Sequence, residues 1–190
     1  MFRRGAVERL KRRATSEQHN FHAKIRAHDL LGALRHSDQQ EQAITALIER
    51  EPDVSVHHFM LAGVLYNRST VLDGLALGEA AITSARRSLD IYESFDPVRG
   101  AAAAVERQLR AMRSNSQEAE RLIAHAADVR ARLARLLAKY EGQSQAAAVH
   151  RHGKEAIATY EALVRFGTET TQADVERIRA QYKAAQGHLR

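Results

Sequence analysis

Histidine has the widest chemical reach of any residue type in this chain, because its imidazole can ligate a metal or move a proton near neutral pH. Ten occur among the 190 residues. His19 and His22 stand three apart, His150 and His152 two apart, and His57 and His58 are adjacent. Only the first pair can share a helix face. A zinc hydrolase would carry His-Glu-x-x-His on one helix, and a carboxylate-bridged centre would need Glu-x-x-His pairs on two helices. Neither pattern is present, and His125 and Asp128, three apart, have no second such pair to face them. The histidines are therefore expected at the surface or as packing residues, with no metal and no cofactor.

Other chemistries lack their residues. With no cysteine, the chain has no thiolate zinc site, iron–sulfur cluster, disulfide or cysteine nucleophile. It contains no Gly-x-Ser-x-Gly, no phosphate-binding loop ending in Lys-Ser or Lys-Thr, and no dinucleotide fingerprint. Glu79, Asp90, Glu93 and Asp96 read as the solvated acidic face of a helix rather than as convergent carboxylates. The expectation is a protein that is not an enzyme.

The formal net charge of +6 is unevenly spread. Residues 1–20 hold six basic and two acidic side chains, residues 21–97 seven and eleven, residues 98–141 nine and five, and residues 142–190 seven and five. A basic tip and a basic C-terminal half thus flank a mildly acidic part. Arg3, Arg4, Arg9, Lys11, Arg12 and Arg13 form the N-terminal cluster and are the candidate nucleic-acid contacts. Arg107, Arg110, Arg113, Arg121, Arg130, Arg132 and Arg135 make a second basic region. There Glu106, Glu118, Glu120 and Asp128 alternate with the arginines, which predicts a salt-bridged exposed face. Apart from Phe2 at the extreme N-terminal end, no Phe, Tyr or Trp sits beside either cluster to stack on bases. Arginine outnumbers lysine 24 to 5, a ratio that GC-rich coding alone can produce.

No apolar run follows the basic tip, so the signature of a secretory leader is missing, and nowhere do about 18 apolar residues run together. Phe2, Val7 and Leu10 offer too small an apolar face for a membrane-surface helix. The cysteine-free composition adds to the expectation of a cytoplasmic protein that does not engage a membrane.

These residues must be positioned by helices. With 34 alanines, 24 arginines and only 2 prolines, the composition predicts an all-α fold. Phe21, Ile25, Leu30, Leu31 and Leu34 predict a helix over 16–35, capped by Thr15 or Ser16. Ser37 and Asp38 predict a break, followed by a short helix carrying Ala43, Ile44, Leu47 and Ile48 that Pro52 closes. A third helix should run from Asp53 or Ser55 through Phe59, Ala62, Gly63 and Tyr66, and a fourth from about Leu75 to Phe95, with Asn67 to Gly74 as a loop between them. From Val105 through Leu109, Met112, Ser116, Ala119, Ile123, Ala126, Arg130, Leu133 and Leu137 to Tyr140, steps of three and four trace a bundle seam. Ser116 and Arg130 break its apolar rule, and Ser114–Ser116 predict a helix end or kink. Gly142 and Gly167 read as stops, and Thr170 or Thr171 as the cap of a last helix.

Phe59, Ala62, Gly63 and Tyr66 stand at the spacing of the first helix of a tetratricopeptide repeat, and Ala81, Ala85, Ser88, Leu89, Tyr92 and Pro97 are similar to its second helix. Leu31, Gly32, Ala43, Leu47 and Pro52 resemble a degenerate earlier copy, so residues 23–97 resemble two repeats. The second carries an insertion at Asn67–Gly74, and the first has Arg35 where the family has an aromatic. In the resemblance Gly63 admits a neighbouring helix closely, and the pair of repeats implies a groove that holds a peptide or helix of another protein. The sequence thus predicts a basic segment over 1–20, two tetratricopeptide-like hairpins over 21–97 and an antiparallel helical bundle over 98–190. A protein partner is expected at Tyr66, Asn67 and Arg68, with nucleic acid as the alternative partner and self-association left open.

Overall fold

Asp29 sets the first helix boundary. One of its carboxylate oxygens accepts the backbone N–H of Gly32 at 2.8 Å, and the other lies 2.8 Å from Lys24 Nζ. One side chain therefore caps the helix that follows and holds the end of the helix before it. His28, at φ +56°, reverses the chain between them. A computed structural model describes residues 2–95 and 116–189, with side chains from residue 5 and from residue 117 onward. In it α1 spans Phe2–Arg26 and α2 spans Leu30–Arg50. This corrects the expected helix over 16–35 and the break at Ser37 and Asp38. Ser37 is buried inside α2, and the Thr15 hydroxyl, an expected cap, donates to the carbonyl of Lys11 within α1.

The chain then turns through Pro52 into α3, Ser55–Gly74. Its second half is the segment expected as a loop. The Ser69 and Thr70 hydroxyls donate to the Tyr66 carbonyl at 2.6 and 3.4 Å, so these polar residues are satisfied inside the helix. Val71 and Leu72 are buried one turn further on and draw the helix past them. After Ala76, at φ +60°, α4 runs over Gly78–Glu93.

The chain divides into two compact units, Met1–Ser88 and Leu89–Arg190. In the first, α1 packs on α2 and α2 on α3. Ala14, Ala43, Ile44 and Val64 form one apolar cluster, and Phe21, Ala33 and Val71 another. The Ser88 hydroxyl of α4 donates to the carbonyl of Ala62 on α3 at 2.8 Å, beside the buried Ala81 and Ala85. Ala62 thus receives α4. Gly63 does not: a Cβ built there would meet nothing within 4 Å, so the expected close approach at Gly63 belongs to Ala62.

In the second unit α5, Ser116–Tyr140, α6, Ala146–Arg165, and α7, Gln172–Gly187, pack on one another pairwise. Ala127, Ala131, Ala156, Tyr160, Val175 and Ile178 share their core. Gly142 at φ +59° and Gly167 at φ +70° take left-handed conformations at the two turns, as helix-stopping glycines do. The Asp174 carboxylate accepts from the backbone N–H and hydroxyl of Thr171 at 3.0 and 2.8 Å, which opens α7. Ile123, Ala126, Arg130, Leu133 and Leu137 of the expected seam are buried, while Val105, Leu109, Met112 and the break at Ser114 lie outside the described residues. Among the described residues the fold is all-helical, with adjacent helices packed as pairs, and no helix is long and apolar enough to cross a membrane.

Candidate protein-binding groove

The buried face of α2 is written by Ala33, Ser37, Gln40, Ala43, Ile44 and Leu47. A second strip follows from the same periodicity, because residues three and four apart share a side of the helix. Asp38, Glu41, Gln42, Thr45, Ala46 and Glu49 make that strip, and with Arg68 of α3 they line an open groove of about 520 Å³. Ala46 and Thr45 are short, which leaves its middle shallow-walled and open.

Ion pairs fix one wall. Arg68 Nε lies 3.0 Å from Asp38 Oδ1 and its Nη1 3.6 Å from Glu41 Oε2. The other oxygen of Glu41 lies 2.9 Å from Arg87 Nη2 on α4. Glu41 therefore joins three helices. These side chains are partly solvated, so the pairs contribute about 1 kcal/mol or less each and serve chiefly to hold the guanidinium of Arg68 in place.

Of the expected partner-binding residues, Arg68 lines the groove, whereas Tyr66 and Asn67 sit half-buried on α3 outside its lining. All three belong to a helix rather than to the edge of a loop. The polar strip of α2 escaped sequence reasoning, which follows only the apolar side of this helix and places Asp38 ahead of it as a break. Extended back to Leu30, the same periodicity displays Asp38, Glu41, Thr45 and Glu49 on one side.

The basic cluster is divided by the structure. Arg9, Arg12 and Arg13 are exposed on α1, while Lys11 Nζ lies 3.6 Å from Glu8 and 3.9 Å from Glu51. Arg3 and Arg4 lie in the same helix, with side chains outside the described residues, as Arg107, Arg110 and Arg113 are entirely. Arg130 departs from the expected exposed face. Its side chain is only 4% exposed, with Nη2 2.9 Å from Glu93 and Nε 3.5 Å from Glu155.

A second, polar cleft of about 310 Å³ in the second unit is lined by Glu120, His125, Asp128, Tyr160 and Arg177 among others. Arg177 places Nη1 and Nη2 at 3.1 and 3.2 Å from Asp128 Oδ1, and its Nη2 donates to the Tyr160 hydroxyl at 3.2 Å. Burial pushes the Tyr160 phenol above its ordinary range, and the Asp128 carboxylate adds to the rise while Arg177 opposes it. The three groups satisfy one another and lock α5, α6 and α7 together.

Several of the histidines serve local contacts. His57, nearly enclosed, donates from Nε2 to Glu51 at 2.8 Å and thereby holds that carboxyl below its usual range. His36 donates to Glu17 at 2.7 Å across α1 and α2, and His150 Nδ1 lies 2.6 Å from the Tyr182 hydroxyl. Among the described residues no three His, Asp or Glu side chains are grouped to hold a metal ion. No protein-family model, curated protein or solved structure matches the chain.

Proposed function

We propose that this chain is a non-catalytic, cytoplasmic interaction protein that holds a segment of a partner protein in the groove between α2 and α3. The observation that carries the reading is the groove itself, a long polar strip of α2 beside an arginine oriented by Asp38 and Glu41. Arg68 can bind a partner carboxylate or main-chain carbonyl, and Glu49 and Gln42, both exposed, offer an acceptor and an amide further along. Part of the same reading is that the helix pairs are degenerate tetratricopeptide-type hairpins. The hydrogen bond from Ser88 to Ala62 at the α3–α4 contact, with the small buried residues Ala81 and Ala85 on the same helix as Ser88, supports it. The empty space at Gly63 and the length of Ser55–Glu93, above the family's unit of about 34 residues, count against a regular repeat.

Thr45 is exposed, so Thr45→Trp fills the groove without touching the core. Affinity capture from the native host with the wild-type chain and this variant, matched for helicity, tests the reading. A partner retained by wild type and lost with Thr45→Trp and with Arg68→Ala is the expected result. A partner retained equally by all three would place the binding surface elsewhere.

A further inference from the structure

We propose that the outer face of α1 docks on the phosphate backbone of a nucleic-acid duplex. The roll of this helix is fixed, because Val7, Ala14 and Phe21, spaced by seven, are all buried. At about 100° per residue, Arg9 and Arg12 project from the opposite side and Arg13 from the flank beside them, and each is exposed. The helix presents them as a preformed set within about 6 Å of its axis.

Their charge is available, unlike that of five arginines elsewhere in the fold. Arg68, Arg87, Arg130, Arg177 and Arg179 each lie within 4.0 Å of a carboxylate. Arg9, Arg12 and Arg13 make no ion pair among the described residues; Arg12 only bonds the carbonyl of Glu8 within its own helix, at 3.4 Å. The same face continues through Ser16 and Asn20, both exposed and uncharged, and the acidic residues at its edges, Glu8 and Glu17, pair with Lys11 and His36.

Charge complementarity selects a polyanion, and the rest of the face selects which. A bilayer needs apolar side chains beside the basic ones to enter the interface. Among the described side chains of α1 the large apolar residues Val7, Leu10, Phe21 and Ile25 are buried or half-buried, and none of them shares the arginine face. A duplex needs only guanidiniums, which pair bidentately with phosphate and release its condensed counterions. With no Phe, Tyr or Trp between Arg9 and Asn20 to stack on a base, the contact is to backbone and independent of sequence.

The test is fluorescence anisotropy of labelled duplexes of two unrelated sequences, titrated with the full chain between about 50 and 200 mM salt. The comparison is a variant carrying Arg9→Gln, Arg12→Gln and Arg13→Gln. Equal affinity for both duplexes, at least tenfold weaker in the variant, is expected, with the salt slope reduced by up to about 2.7, or 0.9 per lost phosphate contact. Unchanged helicity and melting temperature should accompany it, since the three side chains are exposed, and Thr45→Trp should bind the duplexes as wild type does. An unaltered affinity and slope in the variant, no binding at the lower salt, or binding to phosphatidylserine vesicles in place of duplexes would each overturn the proposal.

Discussion

Arg130 carries a full charge into the core of the second unit, where its stem replaces an apolar seam residue and its guanidinium reaches Glu93 and Glu155. The two carboxylates are 41% and 33% exposed, so each remains solvated when the arginine is removed. The converse does not hold. Arg130→Met should change stability by about 1 kcal/mol or less, because a linear apolar side chain fills the same channel. Replacing both Glu93 and Glu155 by Ala strands a buried guanidinium and should cost about 3 kcal/mol or more. Urea midpoints of the two variants check the order, and a costlier Arg130→Met would make the ion pairs themselves the source of stability. Two glycines make a second contrast. At Gly153 a Cβ would land on the ring of Tyr182, whereas at Gly63 it would meet open space. Gly63→Ala should therefore raise stability by about 0.5–1 kcal/mol through helix propensity. Gly153→Ala should lower it, since overpacking costs about 1–3 kcal/mol against that same gain. Thermal melts of the two variants should move in opposite directions.

At the scale of the element, helix boundaries here are decided by single polar side chains whose meaning depends on what surrounds them. Asp29 and Thr171 act as boundary residues, while Thr15, Ser37, Ser69 and Thr70, of types that also favour caps, lie inside helices. Each of the interior residues Thr15, Ser69 and Thr70 bonds back to a carbonyl three or four positions earlier. Local chemistry therefore allowed both outcomes, and burial of Val71 and Leu72 decided one of them. Thr171→Ala removes the hydroxyl that engages Asp174 and should cost about 1 kcal/mol, read as a lower urea midpoint. Retained stability would mean that the Thr171 backbone N–H alone holds the Asp174 carboxylate. The groove of the first unit is likewise an element-scale feature. Its lining repeats at helical spacing along α2: Glu41, Thr45 and Glu49 share a side of the shorter expected helix too, and the helix begun at Leu30 adds Asp38 to them.

Across the whole molecule, proton linkage brackets stability from two sides. Asp29 is held below the ordinary carboxyl range by Lys24 and the Gly32 N–H, Glu51 by His57, and Asp174 by the N–H and hydroxyl of Thr171. A depressed carboxyl stabilises the fold above its unfolded value near pH 4 and loses that contribution as pH falls through its folded value. Tyr160 works in reverse: its raised phenol contributes fully below about pH 10 and is lost as pH climbs toward the folded value. Urea midpoints should accordingly fall below about pH 4 and above about pH 10. The alkaline loss should shrink in Tyr160→Phe, together with the late-ionising part of the absorbance titration at 295 nm; an unchanged alkaline limb would assign it to other groups. Composition and periodicity by themselves determined the helical class, the stops at Gly142 and Gly167, a cap at Thr170 or Thr171 and the burial of Ile123, Ala126, Leu133 and Leu137, while the small residues of α4 are read from the resemblance to a helical repeat. All of these depend on a residue and its neighbours within a turn or two. Only the tertiary structure decided which polar residues end helices, that Ala62 rather than Gly63 receives α4, that Arg130 is enclosed, and that Arg68 faces Asp38 and Glu41. The physical reason is that each depends on a side chain brought from a different helix, and local sequence spacing carries no record of which helices become neighbours.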